Sequence, residues 1–398
     1  MNDLKEFQEQ MPNGFYSIAV DITGFCNAKC KYCPAGNDLT NKGKFVTLET
    51  FENILKKLIE YKMYTPSSDF NIYCLGEPLL HPEINDILKI LAKYGISITI
   101  STNASYIPQF DRESLKVVKR FLISMPGFSQ ESYDRIHGFN FEKIKENVVK
   151  LRNQIRELSD GKIPFDMSYH IYQFNESEMV PAKRFCEENE IRFAPNYAVM
   201  FDKDKCLDYV TGKMSYDELK DISKDIFLGV LDQQIKDAPM NYCDFQHRFL
   251  SVTVDGDIRI CSSFRREVEP TILIGNILTD NIDDIIFRKY HHPRCETCIK
   301  AGLTLAKGYE CKVWPNGYYD IMKENEFIKE YMKDDRLEEK LKFMHLVRDY
   351  EQSDYRDDEQ KRLDAFMKNT TLERECIKDI VCKYTRFGLK TYNRMENI

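Results

Sequence analysis

The stretch FYSIAVDITGFCNAKCKYCPAG, residues 15–36, joins a short apolar run to three closely spaced cysteines. The run is rich in β-branched and aromatic residues, which favours a buried strand. Three residues separate Cys26 from Cys30, and two separate Cys30 from Cys33. The sequence therefore predicts a strand that leads directly into a loop with a cluster of thiols.

Short apolar runs continue to alternate with amphipathic stretches beyond this point. The predicted strands are 15–22, 70–75, 96–101, 121–125, 165–172 and 191–198, and the predicted helices are 48–61, 82–94, 141–158 and 177–189. Strands separated by helices of this length pair in parallel. The pattern thus predicts an α/β fold, a partial (β/α)6 barrel over residues 15–235. Its functional residues should lie on loops at the carboxyl ends of the strands.

Composition excludes several classes of protein. The chain has 398 residues and a net charge of −7. No basic stretch with interleaved aromatic residues indicates a nucleic-acid groove. No apolar run approaches the roughly 20 residues that cross a bilayer, and the polar N-terminus does not resemble a signal peptide. We therefore expect a soluble, cytoplasmic protein with no membrane or nucleic-acid partner.

The 13 cysteines are distributed unevenly. In a reducing cytosol a disulfide framework is not expected, and clustered cysteines indicate a metal or catalysis. A second group comprises Cys243, Cys261, Cys295, Cys298 and Cys311. The remaining five are scattered and are predicted to act as small buried apolar residues: Cys74, Cys186, Cys206, Cys376 and Cys382.

Two metals fit the first cysteine group. Structural zinc normally takes four protein ligands, which are usually arranged as paired Cys-x2-Cys units. A triplet with no fourth partner nearby instead suits three irons of a cubane cluster and leaves one iron open. The residues favour the iron–sulfur alternative over zinc.

The spacing Cys-x3-Cys-x-aromatic-Cys, with Tyr32 as the aromatic residue, resembles the radical S-adenosylmethionine superfamily. The resemblance implies a 4Fe-4S cluster held by Cys26, Cys30 and Cys33, with S-adenosylmethionine chelating the open iron. In that family the reduced cluster cleaves the sulfonium and yields a 5′-deoxyadenosyl radical, which abstracts a substrate hydrogen. A flavodoxin- or ferredoxin-type electron donor is implied as a partner.

Three further motifs follow successive predicted strands, as in that family. Gly76-Glu77-Pro78 resembles a Gly-Gly-Glu-Pro segment that binds the methionine amino group, with Leu75 in place of the first glycine. Thr102-Asn103 resembles the family's Thr-Asn-Gly motif. Ser124 ends the fourth strand, where a serine that contacts the ribose or carboxylate often lies. The resemblance implies that these six residues bind the cosubstrate, and it identifies no catalytic residue.

The second cysteine group resembles the SPASM and twitch modules, which hold auxiliary clusters. Cys243 is followed by 12 residues, Gly256, four residues and Cys261, and Cys295-x2-Cys298 matches the next element. No Cys-x3-Cys follows, so the match is to the shorter twitch form over residues 236–311. It implies a second 4Fe-4S cluster on Cys243, Cys261, Cys295 and Cys298, with Cys311 as an alternate ligand and four-cysteine zinc as the alternative. Residues 312–398 form a predicted helical extension of unknown role.

A fully ligated auxiliary cluster cannot chelate substrate, but it can accept an electron after hydrogen abstraction. This role favours dehydrogenation of a sugar, cyclitol or similar small molecule. The alternative is maturation of a ribosomally made peptide by epimerisation, crosslinking or side-chain oxidation. Too few residues precede the first strand for the leader-peptide module of many peptide maturases, which favours the small molecule. A non-catalytic iron–sulfur or zinc protein is the distant alternative.

Overall fold

The fold is built on one mixed sheet. The computed structural model describes residues 1–36, 44–210, 213, 218, 221–222, 224–226, 243–262 and 272–300. The first six strands are β1 (Ser17–Val20), β2 (Asp69–Asn71), β3 (Ile98–Thr102), β4 (Val118–Met125), β5 (Phe165–Ile171) and β6 (Arg192–Tyr197). They lie side by side in sequence order, and each pairs in parallel with the next. The predicted partial barrel of six parallel strands is confirmed, and the sheet is open.

Helices connect the strands and cover the sheet. They are α1 (Leu4–Gln10), α2 (Leu48–Glu60), α3 (Ile84–Lys93), α4 (Gln130–Arg135), α5 (Phe141–Leu158), α6 (Met179–Glu188) and α7 (Lys203–Val210). The apolar residues of α2 recur every three or four positions and are buried. Thr47 caps this helix, because its Oγ1 accepts the Thr50 N–H at 3.1 Å. None of the helices in the described ranges is long and apolar enough to cross a membrane.

The second predicted strand is shorter than expected. The sequence predicts a strand over 70–75, whereas β2 ends at Asn71. The N–H groups of Cys74 and Leu75 donate to the carboxylate of Asp21, at 2.6 and 3.1 Å. A side chain has therefore replaced the neighbouring strand as their hydrogen-bond partner.

The sheet continues on the other side of β1. Strand β7 (Phe249–Val252) pairs in parallel with β1, and β8 (Asp257–Arg259) and β9 (Leu273–Asn276) follow as antiparallel neighbours. The segment SVTVDGDIRICSS, residues 251–263, predicts a hairpin with Asp255-Gly256 as its turn. The structure confirms the hairpin, and Gly256 adopts φ +89° in the turn. Three helices complete this part of the chain: α8 (Asp244–Arg248), α9 (Ile282–Tyr290) and α10 (Pro293–Lys300).

The predicted domain boundaries at 15–235 and 236–311 stay predictions. Joining β7 to β1 makes the hairpin a direct extension of the barrel sheet. The helical extension predicted over 312–398 lies outside the described residues, as do Cys311, Cys376 and Cys382.

Replacing Phe70 with Ala should lower the free energy of unfolding by about 3–5 kcal/mol. Phe70 lies on β2, is 0% exposed, and makes an edge-on ring contact with Tyr64 at 5.8 Å. Chemical denaturation of anaerobic protein, followed by circular dichroism, measures the change. Phe287→Ala is the matched control, because that ring is 48% exposed. Equal losses in the two variants would contradict this account of the core.

Candidate functional site

The three clustered cysteines lie together on the loop after β1. Burial raises the pKa of the Cys26 thiol to about 12, and Glu77 and then Cys33 add to the shift. Burial also raises the pKa of Cys30, and both Cys33 and Cys26 raise it further. The backbone turns tightly here, with the Cys33 N–H 3.2 Å from the Cys30 carbonyl oxygen. The predicted triplet is thus a set of neighbouring, partly buried cysteines.

The donor chemistry of this loop fits an iron–sulfur cluster. In the described part of the chain, no three Cys, His, Asp or Glu side chains converge as ligands of a single metal ion. A cubane cluster instead takes its thiolates at separate irons. The three soft sulfur donors meet that requirement, and the Asn103 Nδ2 lies 3.7 Å from the Cys26 Sγ. Because burial raises the pKa values of Cys26 and Cys30, loading a cluster must release their protons.

Asp225 is buried and accepts hydrogen bonds from the cysteine loop. Its carboxylate accepts hydrogen bonds from the Tyr32 hydroxyl at 2.6 Å, Lys31 at 3.0 Å and Arg135 at 2.6 Å. Burial and then Asp225 raise the pKa of Tyr32, so the phenol stays protonated as the donor. The sequence identifies Tyr32 as the aromatic residue of the motif. It provides no signal for Asp225, which lies 193 residues from Tyr32.

The loop after β2 packs directly on the cysteine loop. The Glu77 N–H donates to the Phe25 carbonyl oxygen at 3.0 Å. A Cβ at Gly76 would lie 1.8 Å from the Thr23 carbonyl oxygen, so only glycine fits there. Leu75, where the related motif has glycine, is buried. The predicted Gly76-Glu77-Pro78 segment is therefore held against the cysteines by backbone contacts.

Glu77 links two loops through its carboxylate. It is 4% exposed and accepts from the Thr102 hydroxyl at 2.7 Å, the Asn103 N–H at 2.8 Å and the Leu79 N–H at 3.1 Å. Burial raises the pKa of Glu77 to about 7, against the effect of these donors. The carboxylate consequently ties the loops after β2 and β3 together beside Cys26.

The remaining predicted residues lie around this junction. Pro78 is buried at the start of a short 3-10 helix, and the side-chain amide of Asn103 donates to Asn27 at 3.1 Å. Ser124 is a half-buried residue of β4, opposite Ser168 of β5. The structure brings Gly76, Glu77, Pro78, Thr102 and Asn103 together, and their contact with a cosubstrate stays a prediction.

A line of polar side chains continues along β5 and β6. Asn196 donates to the Ser168 hydroxyl at 2.9 Å, and the Ser168 oxygen lies 3.4 Å from the His170 Nε2. Burial lowers the pKa of His170 to about 4, so its imidazole is neutral at pH 7. The alternation of polar and apolar residues in FDMSYHIY is the sequence signal for these positions. Sequence reasoning assigned no role to them.

Four cysteines of the second group also come together in space. Cys243 precedes α8, Cys261 follows β8, and Cys295 and Cys298 lie on α10. Burial raises the pKa of Cys243, Cys295 and Cys298, and Cys261 adds to each shift. Four thiols from three separate elements are thus neighbours, a donor set that suits a second cluster. Their role as ligands stays a prediction.

One buried hydrophobic cluster contacts both cysteine groups. It includes Tyr32, Tyr172, Met200 and Cys206, and the partly buried Cys30 and Cys298 pack against it. Cys206 is 1% exposed, as predicted for a small apolar residue. The two candidate metal sites are therefore in contact with the same cluster of apolar side chains.

Comparisons with known proteins agree with these motifs. Residues 20–181 match the family model described as Radical SAM superfamily. The antilisterial bacteriocin subtilosin biosynthesis protein AlbA of Bacillus subtilis is 23% identical over 278 residues, which cover 67% of this chain and 58% of AlbA. The chain therefore spans little more than half the length of that relative.

Two solved structures align with this chain at low sequence identity. Streptococcus suis SuiB, bound to its precursor peptide SuiA, aligns with 16% identity and a TM-score of 0.49, covering 74% of this chain and 70% of SuiB. BtrN in complex with AdoMet and 2-DOIA aligns with 15% identity and a TM-score of 0.40, covering 73% of this chain and 88% of BtrN.

Anaerobic reconstitution should load about eight irons per chain, as two cubane clusters. Replacing Cys26, Cys30 and Cys33 together with Ala should reduce this to about four, because only the first donor set is removed. Iron analysis and absorbance spectra measure the difference. Cys186→Ala is the control, since Cys186 is buried in the main core and belongs to neither group. Wild-type protein with about four irons and one zinc would contradict a second cluster.

Glu77→Gln should weaken binding of S-adenosylmethionine by about tenfold or more and leave iron content unchanged. The amide would place an NH2 donor against at least one of the three existing donors, which breaks the junction at a buried position. Equilibrium dialysis with the reconstituted protein measures the affinity. Glu83→Gln, at a nearby exposed carboxylate, is the matched control. Wild-type affinity in Glu77→Gln would show that this carboxylate does not shape the binding loop.

Proposed function

Because residues 20–181 belong to the radical S-adenosylmethionine superfamily, we propose that this radical enzyme oxidises its substrate by two electrons. The 5′-deoxyadenosyl radical takes a hydrogen atom and becomes 5′-deoxyadenosine. The substrate radical then loses one electron to a second cluster and one proton to water or a base. A carbon that bears a hydroxyl or amino group thereby becomes a carbonyl or an imine.

Each proposed cluster, and the cosubstrate, has its own set of binding residues. Cys26, Cys30 and Cys33 hold the first cluster, and Cys243, Cys261, Cys295 and Cys298 hold the second. S-adenosylmethionine lies against the Gly76–Pro78 segment, with Thr102, Asn103 and Ser124 as further contacts. When bound, the first cluster supplies the electron that cleaves the cosubstrate, and the second accepts the electron from the substrate radical. A flavodoxin- or ferredoxin-type donor in a reducing compartment, such as the cytoplasm, supplies the reducing electron.

The convergence of the four auxiliary cysteines carries this proposal. Hydrogen abstraction alone needs only one cluster, whereas oxidation needs an acceptor for a second electron. Burial raises the pKa of Cys295, and Cys261, Cys243 and Cys298 raise it further although three separate elements carry these four cysteines. The hydrophobic cluster that packs against both Cys30 and Cys298 further supports electron transfer, because buried apolar side chains contact both sites.

The polar residues of β5 and β6 favour a hydroxyl-rich small molecule as substrate. Ser168, His170 and Asn196 offer a hydroxyl, a neutral imidazole and an amide along neighbouring strands of the parallel sheet. Such groups hydrogen-bond sugar or cyclitol hydroxyls without requiring charge on the ligand. We therefore place dehydrogenation of a sugar, cyclitol or related molecule first.

Peptide maturation is the second candidate, and sequence similarity supports it. The match to AlbA covers 67% of this chain and therefore reaches beyond residues 20–181. AlbA is described as a protein of bacteriocin biosynthesis. A peptide substrate would use the same hydrogen abstraction and the same electron acceptor.

Deuterium transfer separates the two substrate classes. Reconstituted full-length protein is incubated anaerobically with S-adenosylmethionine, a reductant and either C-deuterated aminosugars and aminocyclitols or peptides with deuterated residues. Mass spectrometry then detects deuterium in 5′-deoxyadenosine. We expect transfer from the small molecules, and transfer only from peptides would favour the second candidate. No cleavage of S-adenosylmethionine under any condition would reject the enzymatic function.

Replacing Cys261 with Ala should damage formation of oxidised product more than cleavage of the cosubstrate. The first site is intact in this variant, but the substrate radical has no acceptor for its electron. The ratio of product to 5′-deoxyadenosine should fall by about tenfold or more. Chromatography quantifies both compounds, and circular dichroism checks the fold, to which metal ligation contributes. Cys186→Ala is the control, and a folded Cys261→Ala variant that keeps the wild-type ratio would reject the acceptor role.

A further inference from the structure

The Asp21 carboxylate joins two distant parts of the molecule. Its Oδ1 accepts the Cys74 and Leu75 N–H groups at 2.6 and 3.1 Å. Its Oδ2 accepts from the Arg259 Nη1 at 2.8 Å, across 238 residues of sequence. The side chains of Asp21 and Arg259 are 1% and 5% exposed. One buried carboxylate thus connects the loop after β2 with strand β8.

Burying the ion pair of Asp21 and Arg259 costs free energy. Removing a carboxylate and a guanidinium from water costs several kcal/mol per ion, and good geometry with further hydrogen bonds is needed to offset it. Both oxygens of Asp21 have partners, so the arrangement meets that requirement. Loss of one charge would leave the other buried without its partner. The pair is consequently sensitive to small movements of either element.

Each end of the link lies next to a functional segment. Leu75 directly precedes Gly76, which packs on the cysteine loop. Arg259 lies two residues before Cys261 of the auxiliary group. A movement of the Cys74 and Leu75 amides changes their hydrogen bonds to Oδ1. The same carboxylate then changes its interaction with Arg259, and hence the position of β8.

We propose that Asp21 and Arg259 are positioning residues that couple the cosubstrate loop to the auxiliary hairpin β7–β8. Binding of S-adenosylmethionine beside Gly76 orders the loop, and the buried pair transmits this order to the strand that leads to Cys261. Such coupling is reciprocal, so ordering of the hairpin tightens cosubstrate binding by the same factor. The proposal rests on the proposed function in placing S-adenosylmethionine beside Gly76 and in treating Cys261 as part of the auxiliary site.

Hydrogen exchange with mass spectrometry tests the coupling without depending on a second cluster. Peptides covering residues 249–262 of the full-length reconstituted protein are followed with and without S-adenosylmethionine. In the wild type, we expect the cosubstrate to slow their exchange by about fivefold or more. Asp21→Asn and Arg259→Gln should each lose most of this protection and bind the cosubstrate several-fold more weakly.

Two further variants keep the test decisive. The double variant Asp21→Asn/Arg259→Gln leaves no unpaired buried charge, so it is the variant expected to fold if either single variant does not. It should lose the protection no more than the single variants, because all three break one link. Lys44→Gln is the matched control, since Lys44 forms an exposed ion pair with Asp255 in the turn of the same hairpin. It should keep the wild-type protection.

The outcomes separate this proposal from the function above. The coupling is overturned if the folded double variant keeps the wild-type protection. It is also overturned if bound S-adenosylmethionine does not slow hydrogen exchange of residues 249–262 in the wild type. Equal loss in Lys44→Gln also overturns it, because any ion pair to the hairpin would then suffice. An iron content near four per chain would instead reject the auxiliary cluster, while the exchange result would still decide the coupling.

Discussion

Strand β1 is hydrogen-bonded in parallel on both sides, to β2 and to β7. Its residues Ile18 and Val20 are 0% exposed, so the strand is buried as well as fully paired. Parallel strands present their carboxyl ends at the same edge of a sheet. The cysteine loop therefore emerges between the loop after β2 and the β7–β8 hairpin. The close contact of Gly76 with Thr23 and the ion pair of Asp21 with Arg259 both follow from this position.

Three buried carboxylates organise the loops at that edge. Asp21, Glu77 and Asp225 each accept at least three hydrogen bonds, and their donors come from different segments of the chain. Multiple donors offset the cost of burying a carboxylate, and a satisfied network specifies one arrangement. The loops are thereby held in place without a regular element of their own. A site that must orient a reactive cosubstrate benefits from such preorganised support.

The sheet also positions part of the second cysteine group, through strands that lie beyond the six strands of the barrel. Because β7 pairs with β1, the hairpin that precedes Cys261 is fixed to the same strand that precedes Cys26. One hydrophobic cluster contacts Cys30 of the first group and Cys298 of the second. Small molecules and peptides are both compatible with this arrangement, since the proposed electron acceptor is needed for oxidation of either.

The sequence by itself determined the local features of this protein. Short apolar runs predicted the six parallel strands, and Asp255-Gly256 predicted the hairpin turn, because each of these features depends on neighbouring residues. Cysteine spacing likewise identified both thiol groups. Only the tertiary structure decided that β2 ends early, that β7 extends the sheet, and that Asp21 pairs with Arg259 and Asp225 with Tyr32. Many Asp and Arg residues in the chain are chemically equivalent, and partners 193 or 238 residues apart are selected only by which strands and loops become neighbours.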